Sequence, residues 1–244
     1  MEYNGYVITM NQTLSNLLEN KRVAIVGPAP YLTGSGDGDL IDSYDIILRP
    51  NQFSVPNDLK NDYGSRTDIM NHNFGTPWMS GLKEQISRNP KDFSELKVLM
   101  CTAIKSEHSE VNFLSWPETY VSNVVRNAKQ VNQYEIPFHW IGIKKYHEFY
   151  NLVGCEPYTG FLSIMSMLDF PIKELYVTGF DFYQGKRVYC DGYLSPIDAS
   201  QITKNSGGSH GTDCNQRHIN FLSSIQPKHD NFSVDRVLDE ILKK

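Results

Sequence analysis

One stretch, Arg22 to Gly27 (RVAIVG), constrains the fold more than any other. After Arg22 it is apolar at every position, too short for a buried helix, and closed by glycine. A strand with one wet face would alternate apolar and polar residues, so this run calls for cover on both faces, the condition of a central parallel strand. Tyr44 to Leu48 (YDIIL), Thr67 to Met70 (TDIM), Leu96 to Thr102 (LKVLMCT) and Glu174 to Gly179 (ELYVTG) repeat the signal. Lys144 to Val153, Gly160 to Leu168, Cys214 to Ile225 and Val234 to Leu242 read as helices. Alternation of the two predicts an α/β domain with a mostly parallel sheet. At 244 residues, the chain reads as one domain over 1–244. Asp191 to Gly211 has no period and many Ser, Asn and Gly residues, which marks a loop lid over about 185–212.

A formal net charge of -5 argues against general affinity for nucleic acid or anionic membrane. No run approaches ~18 uninterrupted apolar residues, so no membrane span is expected. Cys101, Cys155, Cys190 and Cys214 are far apart and form no C-x-x-C pair, the usage of reduced thiols in a cytosol. The first residues lack the basic start and apolar run of a signal peptide, and the expected location is cytoplasmic.

Ligands of open parallel sheets bind beyond the carboxyl ends of the strands. Gly27 with Pro28, Asn51 with Gln52, Asn71 with His72, and Asp181 to Tyr183 all follow predicted strand ends. Thr159 and Gly160 open a helix, where unpaired N–H groups and the helix dipole favour a phosphate or carboxylate. Tyr183 and Tyr189 can donate neutral hydrogen bonds to such an anion, and His210, in the loop SGGSHGTD, can take a proton near pH 7. The glycines of LTGSGDGDLID lie too far beyond the strand for a dinucleotide fingerprint, so NAD is not expected. Asp37 and Asp39 form a D-G-D pair that could hold a divalent metal, against the reading of a solvated turn; the expected set of metal ligands is none. Arg49 either binds an anion or pairs with an acid such as Asp45, and His218 reads as structural. Met79 to Lys91 and Asp191 to Gly208 are candidate acceptor loops.

Taken together, these blocks resemble a family. Arg22 to Gln52, RVAIVGPAPYLTGSGDGDLIDSYDIILRPNQ, resembles the large sialylmotif of glycosyltransferase family 29, and TGFLSIMSMLDFPIKELYVTGFDFY resembles its small sialylmotif. GFDFYQGKRVY and the later HGTDCNQ are similar to the bacterial sialyltransferases of family 42. The resemblance spans about residues 20–225. It implies a single Rossmann-like nucleotide-binding domain of the GT-A variant type, acting by inversion, with a CMP-sugar as donor, a glycan as acceptor and no required metal or cofactor. On the matched positions, Gly27, Pro28, Asn51 and Asn71 would lie along the cytidine monophosphate, and Thr159 and Gly160 would hold the donor. Tyr183 and Tyr189 would hydrogen-bond the leaving phosphate, and His210 would be the base. Arg22 to Gln52 contains no cysteine, so the disulfide that usually joins the two motifs should be absent. Pro28 stands where an Asn is common, and Asn215 where a Glu is usual. Transfer of sialic acid from CMP-sialic acid is the leading expectation. Transfer of Kdo or another ulosonic acid from its CMP donor is an alternative, and a non-catalytic nucleotide- or glycan-binding module is a third.

Overall fold

The computed structural model describes residues 2–3, 6–7, 12–102, 118–184, 189–193 and 212–244. A short antiparallel pair, β1 (Glu2–Tyr3) and β2 (Tyr6–Val7), precedes helix α1 (Gln12–Leu18). The main body follows as β3 (Arg22–Val26), α2 (Gly38–Asp42), β4 (Ile46–Pro50), α3 (Lys60–Tyr63), β5 (Ile69–Asn71), α4 (Thr76–Arg88), α5 (Pro90–Ser94) and β6 (Val98–Cys101). It continues as α6 (Glu118–Val131), β7 (Phe138–Trp140), α7 (Gly142–Val153), α8 (Thr159–Met167), β8 (Glu174–Thr178), α9 (Thr212–Ile225), β9 (Phe232–Val234) and α10 (Arg236–Leu242).

Strands β3 to β9 form one sheet in the order β7-β6-β5-β4-β3-β8-β9, parallel throughout. Both faces are covered, as RVAIV requires. Val23 and Ile25 of β3 point into a core shared with α7 and α8, while Ala24 and Val26 point into a core with Ile41, Leu59 and Tyr63. Period-two alternation therefore separates two apolar layers within one strand. A third core packs α4 and α6 on the β5–β6 half. Helix α8 is buried along its whole length, from Thr159 to Met167, which is why its sequence is apolar nearly all round.

The expected α/β class and parallel sheet are both present. Besides the short β1–β2 pair, two strands of the main sheet escaped the sequence reading: β7 and β9 are three residues each, at its two edges, and both mix aromatic with polar residues. Val234, expected at the start of the terminal helix, belongs to β9. Met79 to Lys91, expected as an acceptor loop, is helix α4 running into α5.

The cysteine expectation is corrected. Cys155 and Cys214 form a disulfide, whereas Cys101 and Cys190 are reduced and buried. The cystine joins the α7–α8 link to α9, so it is not the pairing of the large motif with the small one. Disulfides persist mainly in oxidising compartments, and the cysteines therefore give no support to a cytoplasmic location. No helix among the described residues is long and apolar enough to cross a membrane.

Candidate active site

The chain runs outward from β3 through β4, β5, β6 and β7, then crosses back to lay β8 on the other flank of β3. That reversal makes the carboxyl ends of β3 and β8 the topological switch point, where a crevice opens in folds of this kind. Gly27 and Gly179 meet there. A Cβ on Gly27 would lie 2.2 Å from the Gly179 carbonyl oxygen, and one on Gly179 would lie 2.3 Å from that of Gly27. Two backbone bonds seal the crossing, Gly27 N–H to the Thr178 carbonyl (2.8 Å) and Ala29 N–H to the Gly179 carbonyl (3.0 Å). The Phe180 ring fills the space that side chains at Gly27 and Gly160 would otherwise take.

A clamp that sequence reasoning missed holds this floor. The Tyr31 hydroxyl accepts from Gly179 N–H (2.8 Å) and Phe180 N–H (3.1 Å) and donates to Asp235. The Asp235 carboxylate also accepts from Thr178 Oγ1 (2.7 Å) and caps α10 through Leu238 N–H (2.8 Å). Burial, with the carboxylate beside it, pushes the Tyr31 phenol far above its ordinary range, so it stays protonated. The signal available was a tyrosine following a strand-end glycine turn, but its partner lies 204 residues away.

On the β4–β5 side stand the two asparagines. Asn51 is held in a left-handed conformation (φ 58°), with its N–H donated to the Asn71 carbonyl (2.7 Å). The fully buried Asn71 spends its amide nitrogen on Thr102 Oγ1 and Ser163 Oγ, both at 2.7 Å. The Oδ1 atoms of Asn51 and Asn71 are buried and accept no hydrogen bond among the described residues. Buried acceptors are normally satisfied, and two left open at adjacent strand ends fit a ligand carrying donors. Thr159 and Gly160 are buried at the start of α8, and Tyr158, the preceding residue, provides no capping bond from its side chain. The Thr159 carbonyl accepts from Ser163 Oγ (2.9 Å).

Beyond β8 the backbone makes a tight turn in which Gln184 N–H bonds the Asp181 carbonyl (3.0 Å). Phe182 and Tyr183 both take left-handed conformations, with φ of 51° and 60°. For non-glycine residues this stores roughly 1–3 kcal/mol each, and such strain persists only where the surroundings impose it. Asp181 Oδ1 accepts from Tyr183 N–H (3.0 Å) and fixes the turn. The turn brings the Tyr183 hydroxyl to 3.5 Å from that of Tyr189. Tyr158 packs edge-on against Tyr183, and Tyr189 stacks on Tyr193 at 4.3 Å between centroids. Burial raises the Tyr158, Tyr183 and Tyr193 phenols well above their ordinary value, so they remain neutral donors. Tyr158 and Tyr193 were missed in the sequence because neither sits in a strand-end block.

A pocket beside this cluster is lined by Gly27, Pro28, Arg49, Gln52, Cys190 and Tyr193. Gly27 spends its N–H on β8 and Pro28 has none, so these two shape the floor; the Pro28 carbonyl accepts from Cys190 N–H (2.9 Å). Arg49 does not pair with Asp45. It is buried, donates to Thr67 Oγ1 (3.0 Å) and the Tyr63 carbonyl (2.6 Å), and burial pulls it down to about 10. Asp45 instead accepts from Arg22 N–H (2.8 Å). The glycine loop wraps a different acid: Gly34 and Gly36 donate to Asp62 at 2.8 and 2.9 Å, which holds its carboxyl below the usual range. Asp37 and Asp39 lie outside the group of potential metal ligands found among the described residues. His210, 194–211 around it and most of the expected lid lie outside the described residues. His218 is fully buried against Tyr158 and Phe161.

A family model described as Glycosyltransferase family 29 (sialyltransferase) matches residues 8–154. No curated protein sequence matches the chain. Among solved structures, the sialyltransferase CstII from Campylobacter jejuni in complex with the substrate analogue CMP-3FNeuAc is similar with a TM-score of 0.56 at 17% identity, over 88% of this chain and 81% of that one. The same enzyme with cytidine-5'-monophosphate gives 0.52 at 18% identity, over 88% and 80%. A mammalian sialyltransferase in complex with Gal-beta-1-3GalNAc-ortho-nitrophenol gives 0.48 at 18% identity, over 91% and 71%. At these identities the likeness to CstII concerns the fold.

Proposed function

The chain belongs to glycosyltransferase family 29, the sialyltransferase family, and is a CMP-sugar-dependent glycosyltransferase; from that premise we propose that it transfers sialic acid from CMP-sialic acid to a glycan hydroxyl, with inversion and without a metal. The observation that carries the reading is the phenol pair, Tyr183 and Tyr189, whose hydroxyls stand 3.5 Å apart on a strained turn beside the switch point. In this reading the acceptor oxygen attacks the anomeric carbon while His210 takes its proton. The bond from that carbon to the phosphate oxygen breaks, and CMP departs. The Tyr183 phenol, which burial keeps protonated, and the Tyr189 hydroxyl beside it can meet the charge that develops on the departing phosphate. CMP leaves as a monoester, so two donors and a helix start can do what a metal clamp does for a diphosphate.

The donor residues take narrower roles than their types alone suggest. Gly27 and Pro28 provide a floor that the nucleotide can approach closely. Asn51 and Asn71 accept through Oδ1 from ribose hydroxyls or the cytosine amine. Thr159 and Gly160 offer the first N–H groups of α8 to the acidic sugar.

Incubation of the purified chain with CMP-sialic acid and a panel of glycans, with and without EDTA, tests this. Expected are stoichiometric CMP and sialylated product of inverted configuration, unaffected by chelation. Turnover of CMP-Kdo but not CMP-sialic acid would overturn the donor assignment, and loss of turnover with EDTA would overturn metal independence. His210→Ala should lower kcat by about 10²–10⁴; full retention of transfer would remove it from the role of base.

A further inference from the structure

We propose that Cys155, Cys214 and His218 form, once the disulfide is reduced, a binding site for a divalent d10 cation of the zinc class. The Sγ atoms of both cysteines and a ring nitrogen of His218 all lie within 4.8 Å of one another. Cys214 and His218 are four residues apart on α9 and so share one face of the helix. Cys155 approaches from the link between α7 and α8, 59 residues away in sequence. Zinc–sulfur and zinc–nitrogen bonds of about 2.3 and 2.0–2.1 Å require ligand atoms roughly 3.5–3.8 Å apart. With the sulfur–sulfur bond opened, side-chain rotation alone spans the difference.

Four properties suit this set to such an ion. Cys214 is the third residue of a 14-residue helix, where the dipole and first-turn N–H groups favour a thiolate. Two thiolates, one divalent cation and a neutral imidazole sum to zero charge, the state that burial penalises least. The His218 ring is held between Tyr158, at 4.7 Å, and Phe161, at 4.4 Å, so its orientation is set before an ion arrives. Cys155 is half-buried and gives the ion an entry path. The steps balance. A dithiol reductant supplies the electron pair, leaving two protein thiols and a cyclic disulfide; the cation then displaces both thiol protons and takes a lone pair from neutral His218. Whether cystine or metal, the bond fastens the start of α9, directly after the segment that carries His210, to the link that leads into α8.

The test is a titration of the full chain with cobalt(II), a spectroscopic stand-in for zinc, in oxidised form and after anaerobic reduction by a dithiol and its removal. The reduced chain should take up about one equivalent, with thiolate-to-cobalt charge-transfer and four-coordinate visible bands that zinc abolishes, while the oxidised chain shows neither. His218→Gln should weaken reduced-state binding at least about tenfold, and Cys155→Ser with Cys214→Ser should remove it. Absence of these bands from the reduced chain, or their survival in the double serine variant, overturns the proposal. The oxidised and reduced wild-type comparison decides the matter even where a His218 variant fails to fold.

Discussion

Two sides of the same crevice are built in opposite ways. The floor, where β3 crosses β8, is closed by the Gly27–Gly179 contact, and the Tyr31–Asp235 clamp gathers its backbone donors. The wall, from Asn51 and Asn71 to the tyrosine turn, keeps buried acceptors open and holds three side-chain-bearing residues, Asn51, Phe182 and Tyr183, left-handed. Satisfied polar groups and close packing stabilise a fold, whereas open acceptors and strain are retained only where something else uses them. The floor therefore reads as scaffold, and in the proposed function the wall is the part that meets the donor.

The largest effect expected is on the floor. Gly27→Ala places a methyl group 2.2 Å from a backbone oxygen that cannot move without breaking the crossing. It should cost about 3 kcal/mol or more in denaturant unfolding. A loss under about 1 kcal/mol would make the floor as plastic as the wall and erase the contrast. Next is Tyr183→Phe on the wall, which in the proposed function removes one donor from the leaving group and should lower kcat by about 10²–10³ while the unfolding midpoint stays put. If stability fell and kcat did not, the tyrosine would belong with the scaffold.

Tyr31→Phe should show the reverse pattern. It strands the Phe180 N–H, leaves Gly179 N–H with only its 3.1 Å bond to Asp235, and should destabilise by roughly 1–3 kcal/mol with turnover retained. A kcat effect larger than the stability effect would move the clamp into the catalytic half. The smallest expected change is with pH. Burial lowers His72 to about 3 and His139 to about 4, and both residues lie on the β5–β7 half of the sheet. Unfolded histidines take up protons below about 6.5, while these stay neutral in the fold until about 3 and 4. Their stabilising contribution is therefore complete above about 6.5 and is lost as pH falls toward the folded values. Lowering pH from 7 to 5.5 should cost roughly 1 kcal/mol for each of the two, and His72→Phe removes its share. An acid response unchanged by that variant would locate the titration elsewhere.

Much of this arrangement was visible in the residues. RVAIVG announced a strand covered on both faces, and ELYVTG announced the one beside it, because each carries its environment in its own composition. The FDFY turn placed Tyr183 at a strand end, which is where the structure has it. Asn71 was found by position, but its amide nitrogen is consumed by Thr102 and Ser163 and only its oxygen remains open. That distinction is invisible in a residue type. The edge strands β7 and β9 went unseen because three residues give no period to read.

What the sequence determined by itself is the layered α/β class, the strand ends that form the mouth of the crevice, and the family to which the chain belongs. These follow from local patterns, since apolar period and turn chemistry act within a few residues of one another. The tertiary structure alone decided that Cys155 bonds Cys214 and that Tyr31 meets Asp235, across 59 and 204 residues. It also decided that Asp62, rather than Asp37 or Asp39, organises the glycine loop. Such pairings depend on where the sheet carries each residue, and the many partners open to a cysteine, a phenol or a carboxylate are reduced to one only when the chain has been packed.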